Sequence, residues 1–267
     1  MVFQSEWIRR YLEIAQLMGY QVEKDREATK VLSEIIRSID TYNLLNELRR
    51  TVSNKDVIVF GAGPSLDMHI TELKKECPRI LKSSVLMAAD GATEALLEEN
   101  MLPHIVVTDL DGRFEAILEA AKRGSLILVH AHGDNIDEVK RKVPKLVQVT
   151  FKIVGTTQVE PIYPVQNFGG FTDGDRAVYA AVYFNAKSIL LAGMDFGDFV
   201  GRRSKPWLSG NAPASETKRR KLQIAKNLIT DVAKRFSGKI YTLSEESPRG
   251  VEKISTKELN KVFRCSS

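Results

Sequence analysis

Two carboxylates one residue apart, Asp109 and Asp111, follow an apolar run in the stretch VVTDLDG at 106–112. Alternate residues leaving a strand reach one cation together, and magnesium takes oxygen ligands of this kind. A cation held there would bridge phosphate oxygens and offset their charge. A polar turn with Asp111-Gly112 at its corner uses the same letters for structure alone. Other apolar runs end in comparable groups. VIVF is followed by Gly61-Ala62-Gly63-Pro64-Ser65, VLMAA by Asp90-Gly91, LILV by His130-Ala131-His132-Gly133-Asp134, and ILLA by Gly193-Met194-Asp195. Gly61, Gly63 and Ser65 can bring backbone N–H groups onto a phosphate. Leu66 stands where the dinucleotide fingerprint has its third glycine, so a tight strand-to-helix turn explains these residues equally well. Asp90 is a third candidate metal ligand, with Gly91 beside it for the nucleotide. His130, His132 and Asp134 lack a clear fourth ligand for a transition metal and are expected to line a site.

Two further segments carry charge. In GGFTDGDRA (169–177), Thr172 or Asp173 can cap a helix. Asp173 would then face a ligand at a helix N-terminus that attracts anions, with Arg176 one turn on. Lys218, Arg219, Arg220 and Lys221 crowd the first turns of a later helix, an unfavourable place for cations. A bound polyphosphate would offset that repulsion; a solvated charge run accounts for the same letters.

Such residues need elements to position them. Trp7, Ile8, Tyr11, Leu12 and Ala15 make one apolar stripe. Ala28, Val31, Leu32, Ile35, Ile36 and Ile39 make a second, and Leu44 to Arg50 a short third helix. Residues 1–53 therefore read as a helical N-terminal subdomain and 54–267 as a catalytic domain. In the latter, VIVF (57–60), VLMAA (85–89), IVV (105–107), LILV (126–129), LVQV (146–149), ILLA (189–192) and KIYTL (239–243) read as strands. Helices fit between several of them, for example Thr93–Asn100 and Arg113–Arg123. Apolar runs alternating with helices predict an α/β, Rossmann-like, doubly wound, mostly parallel sheet. Its ligand edge is the carboxyl end of the strands, where every group above falls. Residues 151–172 and 197–214 read as long loops, and loops of that length in a compact domain are usually functional. A long helix from about Ser215 to Ser237 follows.

The chain has 267 residues, a net charge of +5 and 43% hydrophobic content. Basic residues are spread along the chain rather than gathered in a stripe, which suits anionic small molecules and argues against nucleic acid. No apolar run reaches the roughly 18 residues of a membrane span. Cys77 and Cys265 are too few for a disulfide framework, so a reducing cytoplasm with free thiols is expected. The N-terminal helices can pack on their own sheet or on a second copy, which leaves a homodimer open.

Three enzyme classes write an apolar strand followed by Asp-x-Asp. A haloacid dehalogenase-type phosphatase makes the first Asp its nucleophile, but continues differently from Gly112-Arg113 and opens its domain with the motif. A nucleotide-sugar-dependent transferase holds metal and diphosphate there. Segments AADGAT, TDLDG, FTDGDRAVYAAVYF and ILLAGMDFGD resemble the catalytic domain of thiamin pyrophosphokinases, without their C-terminal β domain. GAGPSL, TDLDG, HAHGDN, GGFTDGDRA and AGMDFG, in this order, resemble the archaeal 6-hydroxymethyl-7,8-dihydropterin diphosphokinase family from about residue 50 onward. That family is also similar to a domain of flagellin-modifying glycosyltransferase-like proteins. The resemblance implies ATP, Mg2+ and transfer of diphosphate to the hydroxymethyl group of a reduced pterin, with release of AMP. On this reading Asp109, Asp111 and Asp90 hold the metal, with Asp173 beside them. Gly61, Gly63, Ser65 and Gly91 contact the nucleotide, and Arg176, Arg219 or Arg220 stabilise transferring phosphate. Asp195 would pair with the pterin edge while Phe168 or Phe171 stacks on the ring. A non-catalytic nucleotide-binding module is the alternative without chemistry.

Overall fold

The computed structural model describes residues 4–263. Cys265 lies outside them; Cys77 is a buried free thiol. Three helices come first: α1 (Gln4–Met18), α2 (Val22–Ile35) and α3 (Thr41–Val52). Then β1 (Asp56–Phe60), α4 (Leu66–Glu76), α5 (Pro78–Ser83), β2 (Val85–Ala89), α6 (Ala92–Glu98), β3 (Ile105–Thr108), α7 (Phe114–Lys122) and β4 (Leu126–Ala131) follow. A short 3-10 turn leads into α8 (Ile136–Val147), β5 (Ile153–Thr157), α9 (Asp173–Tyr183) and β6 (Ser188–Ala192). The strands β7 (Phe199–Val200) and β8 (Ala212–Pro213) form a small antiparallel hairpin. The chain ends with α10 (Glu216–Arg235), β9 (Lys239–Thr242), β10 (Glu252–Lys253) and α11 (Thr256–Val262).

Eight strands form one sheet in the order β10-β9-β6-β1-β2-β3-β4-β5, every pairing parallel. This is the expected doubly wound α/β fold. Its central strands are apolar on both faces because helices cover both. Val57 and Val59 of β1 join one buried cluster, while Ile58 and Phe60 join the other. β6 divides likewise, Ile189 and Leu191 against Leu190 and Ala192. Strand order runs outward from β1 to β5 on one side and from β6 to β10 on the other. The switch point between β1 and β6 opens a crevice at the carboxyl edge.

Two segments differ from the sequence reading. LVQV is not a strand: Leu146 ends the Val139, Val143, Leu146 stripe of α8, and Val149 is exposed. The fifth strand is IVGTT, inside the stretch read as loop, and it is buried throughout. Its Gly155, packed against Leu32 of α2 and the Ile36 that caps it, hides the strand from a search for unbroken apolar runs. The N-terminal helices thus lie on their own sheet: Trp7, Tyr11, Leu32 and Leu48 share a cluster with Val57, Val129 and Ile153. Among the described residues no helix is long and apolar enough to cross a membrane.

Candidate functional site

β3 ends at Thr108, and Asp109 is the next residue. The Asn135 side chain donates to the carbonyls of both Asp109 and His130 at 2.8 Å, tying the exits of β3 and β4 together. Leu110 then takes a left-handed φ of +69° and is fully buried, its N–H bonded to the Thr108 hydroxyl at 2.8 Å. The extended path therefore stops at Asp109, and side chains no longer alternate. Asp111 does not join Asp109 as expected; its carboxylate is engaged by Lys205. Two other carboxylates take that place. Asp90 leaves β2 with its N–H on the Val107 carbonyl at 2.8 Å, and the Thr108 hydroxyl donates to its Oδ1. A Cβ on Gly112 would sit 2.1 Å from Asp90 Oδ2, so only glycine leaves that carboxylate room. Asp173 opens α9, where Thr172 is the N-cap and donates N–H and hydroxyl to Asp175 at 2.9 and 2.7 Å. Asp90, Asp109 and Asp173 each offer an oxygen within 4.8 Å of the others.

Like charges this close in a buried site resist ionisation together. Burial, then the neighbouring Asp109, push the carboxyls of Asp90 and Asp173 well above the usual range. Burial acts on Asp109 in the same direction. The His132 imidazole, 3.5 Å away, with Arg176 and Lys205, more than offsets it and holds Asp109 below the usual range. Arg176 is buried and forked between Asp173 at 3.0 Å and the Gln158 amide oxygen at 3.2 Å. It holds Asp173 in place and lines the same crevice. The cluster's ligands are all carboxylate oxygens, which suits a hard divalent cation better than metals selected by thiolate or imidazole.

The cluster forms one wall of a crevice of about 390 Å³. Lys205, Lys218 and Lys221 line the crevice as well, Lys205 from the 197–214 segment and the other two from α10. Lys218 and Lys221, three residues apart, share the inward face of the helix. Arg219 and Arg220 are exposed, outside the crevice, and Arg220 pairs with Glu216, so neither expected arginine reaches the site. Among the described residues Lys218 pairs with no carboxylate. Burial, with Lys205 and Lys221 nearby, pushes its amine below the usual range. An ammonium so placed favours an incoming anion.

The glycine turn behaves differently. Gly61 N–H bonds Ala192 O at 2.9 Å, Gly63 N–H bonds Gly193 O at 2.8 Å, and Ser65 N–H bonds Asp195 Oδ2 at 2.8 Å. The expected phosphate cradle is thus filled by the protein's own acceptors. Asp195 lines the crevice, but the Ser65 hydroxyl holds it again at 2.7 and 2.8 Å. Phe168 stands outside the crevice, packed on Tyr183 and Phe184 at centroid distances of 4.8 and 5.2 Å. Phe171, Gly91, His132 and Asp134 do line it, whereas His130 is buried behind, 3.1 Å from the Thr156 hydroxyl. Sequence reading missed Lys205, Tyr20, Asp25 and Gln158. The only signal for them was their place in or beside turns and long loops.

Three clustered carboxylates, one buried and two half-buried, share a crevice with lysines at the carboxyl edge of a doubly wound α/β sheet, an arrangement suited to phosphate-bearing ligands. Comparison with known proteins makes the assignment sharper. The model of the 6-hydroxymethylpterin diphosphokinase MptE-like family matches residues 27–200, and the chain belongs to that family. It is 44% identical over 240 residues to the 6-hydroxymethyl-7,8-dihydropterin pyrophosphokinase of Pyrococcus furiosus, covering 90% of this chain and 98% of that one. The protein of the same name from Methanocaldococcus jannaschii is 42% identical, with 84% and 93% covered. Among solved structures, the MAf glycosyltransferase of Magnetospirillum magneticum superposes with a TM-score of 0.53 at 16% identity. It covers 78% of this chain but 35% of its own, and the likeness is one of fold.

Proposed function

We propose that this enzyme transfers the terminal diphosphate of ATP to the hydroxymethyl group of 6-hydroxymethyl-7,8-dihydropterin and releases AMP. The observation that carries the reading is the convergence of Asp90, Asp109 and Asp173 in a crevice that Lys205 and Lys218 also line. The three carboxylates would hold Mg2+, which when bound supplies positive charge to the phosphate oxygens. Transfer of this kind is mostly positioning plus electrostatic stabilisation. Lys218 and Lys205 bind phosphate oxygens, and Arg176 keeps Asp173 aimed at the cluster. The alcohol oxygen attacks the β-phosphorus in line, and the bond from that phosphorus to the oxygen bridging the α-phosphorus breaks. AMP leaves with the electron pair, and the alcohol proton is released. His132 fixes the Asp109 carboxylate throughout.

Incubation with ATP, Mg2+ and the dihydropterin alcohol is expected to give AMP and the pterin diphosphate in equal amounts. ADP or inorganic phosphate as the sole product would contradict the reading. A glycosyltransferase shares this fold, so product identity, not the sheet, is the decisive readout.

A further inference from the structure

Two groups of residues lining the crevice differ in what they offer a flat heterocycle. One belongs to the turn between α1 and α2. Gly19 there has φ +71°, its N–H bonds Gln16 O at 3.3 Å, and Tyr20 N–H bonds Ala15 O at 2.8 Å. This paired closure ends the helix and fixes the next residue. Tyr20 is thereby turned in against Phe171, ring centroids 6.2 Å apart and planes 33° from parallel. Both rings line the crevice. Phe171, two residues before Asp173, is itself held by its N–H on the Asp175 carboxylate. The aromatic wall is thus joined through Thr172 to the acidic cluster.

Asp25 lies beside this wall, buried yet lining the crevice. Its Oδ1 accepts Gly133 N–H at 2.7 Å and its Oδ2 accepts the Tyr11 hydroxyl. A carboxylate oxygen has two acceptor positions and each of these two oxygens accepts one hydrogen bond, so each retains a free lone pair. Lys221 Nζ stands 5.6 Å from the Tyr20 centroid, in reach of a ring carbonyl laid on that wall. Met194, Phe196, Phe199 and Leu222 also line the crevice, with a second carboxylate, Asp195, whose Oδ2 is filled by the Ser65 N–H and hydroxyl, leaving only Oδ1 with a free lone pair. A ring carrying an amino group and a ring N–H on one edge needs both oxygens of one carboxylate, which Asp25 offers.

The geometry points to the α1–α2 turn as the acceptor subsite: Tyr20 and Phe171 take the face of the pterin ring, and Asp25 takes its donor edge. This rests on the diphosphokinase reading and adds the part of the chain that selects the alcohol. Gly19, Tyr20 and Asp25 precede the residues matched by the family model, so the subsite is built by the N-terminal helices.

The test uses the full chain and its Tyr20→Ala, Tyr20→Leu and Tyr20→Phe variants. Steady-state kinetics with Mg-ATP and the dihydropterin alcohol are combined with a fluorescence titration of the alcohol alone. Loss of a stacked ring is worth about tenfold or more in affinity. Tyr20→Ala is expected to raise both KM and Kd for the alcohol by about that factor, with KM for ATP within about twofold. Tyr20→Phe keeps the aromatic face and stays near wild type, and Tyr20→Leu, which keeps bulk, behaves like Tyr20→Ala. If KM for ATP rises and that for the alcohol does not, the ring on this wall is adenine and the subsite is overturned. Unchanged constants for all three variants also overturn it while leaving the diphosphokinase reading intact. A wild-type chain that neither binds nor converts the alcohol would sink both.

Discussion

Two turns at the same edge of the sheet, one after β1 and one after β3, carry the letters that first suggest phosphate and metal chemistry. In the structure they have opposite characters. The turn after β1 is closed: the Gly61 and Gly63 amides are taken by the carbonyls of Ala192 and Gly193, and the Ser65 amide and hydroxyl by the carboxylate of Asp195. The region after β3 is open. Asp109 meets Asp90 and Asp173 with too little positive charge among them, and Lys218 on α10 has no acidic partner among the described residues. Unmet charge in a crevice marks where a ligand completes the structure, whereas a satisfied turn marks a structural joint.

The largest effect expected on this contrast is at Asp109. Asp109→Asn removes the most acidic member of the cluster and should lower kcat by roughly 10²–10³-fold or more. The melting temperature should change little, since the amide keeps the shape; full activity would remove the cluster from the mechanism. Next comes Lys218→Met. A charge-assisted contact to phosphate is worth about 1.5–3 kcal/mol, so kcat/KM for ATP should fall about 10- to 100-fold, against little change for Arg219→Met. Equal effects at the two positions would contradict the inward and outward faces assigned to α10.

Stability gives a third contrast. Asp90 and Asp173 have folded pKa values above their unfolded ones, through burial and then Asp109. Their protonated forms favour folding. That contribution is complete below about pH 4 and is lost as pH rises through the raised values. Metal-free protein should therefore lose stability from these groups as pH rises above the ordinary carboxylate range. Asp90→Asn should flatten that loss and raise the neutral-pH melting temperature by about 2–4 °C per kcal/mol relieved. Magnesium should stabilise the wild type more than the variant at pH 7. A variant with the wild-type pH slope would show that the cluster stores no repulsion. The smallest effect is expected at the closed turn. Ser65→Ala should cost about 0.5–1.5 kcal/mol of stability with KM for ATP near wild type; a large rise in that KM would reopen the cradle.

Much of the fold was legible in the sequence because burial imposes simple periods. The apolar runs that became β1 to β4 and β6 needed only that rule. β5 escaped it because IVGTT mixes glycine and threonine into a buried strand, and its cover comes from α2, far away in sequence. LVQV misled because a helical stripe that ends in leucine and valine looks like a short strand. At the site, Asp90, Asp109 and Asp173 were each visible at the strand or helix ends that now converge. Asp111 left the group through the left-handed φ of Leu110, which no spacing reveals. Choosing Arg219 and Arg220 over Lys218 and Lys221 was a matter of helical phase: 218, 221, 222 and 225 fall on the face toward the crevice. Asp195 and Phe168 had suitable chemistry, but Ser65 and the Tyr183–Phe184 pair occupy them.

The most direct test of the central claim is anomalous diffraction from crystals soaked in Mn2+, an oxygen-seeking stand-in for magnesium. One strong peak is expected in contact with carboxylate oxygens of Asp90, Asp109 and Asp173, absent in Asp109→Asn crystals. A peak held elsewhere in the crevice, or one that survives that substitution undiminished, would contradict it.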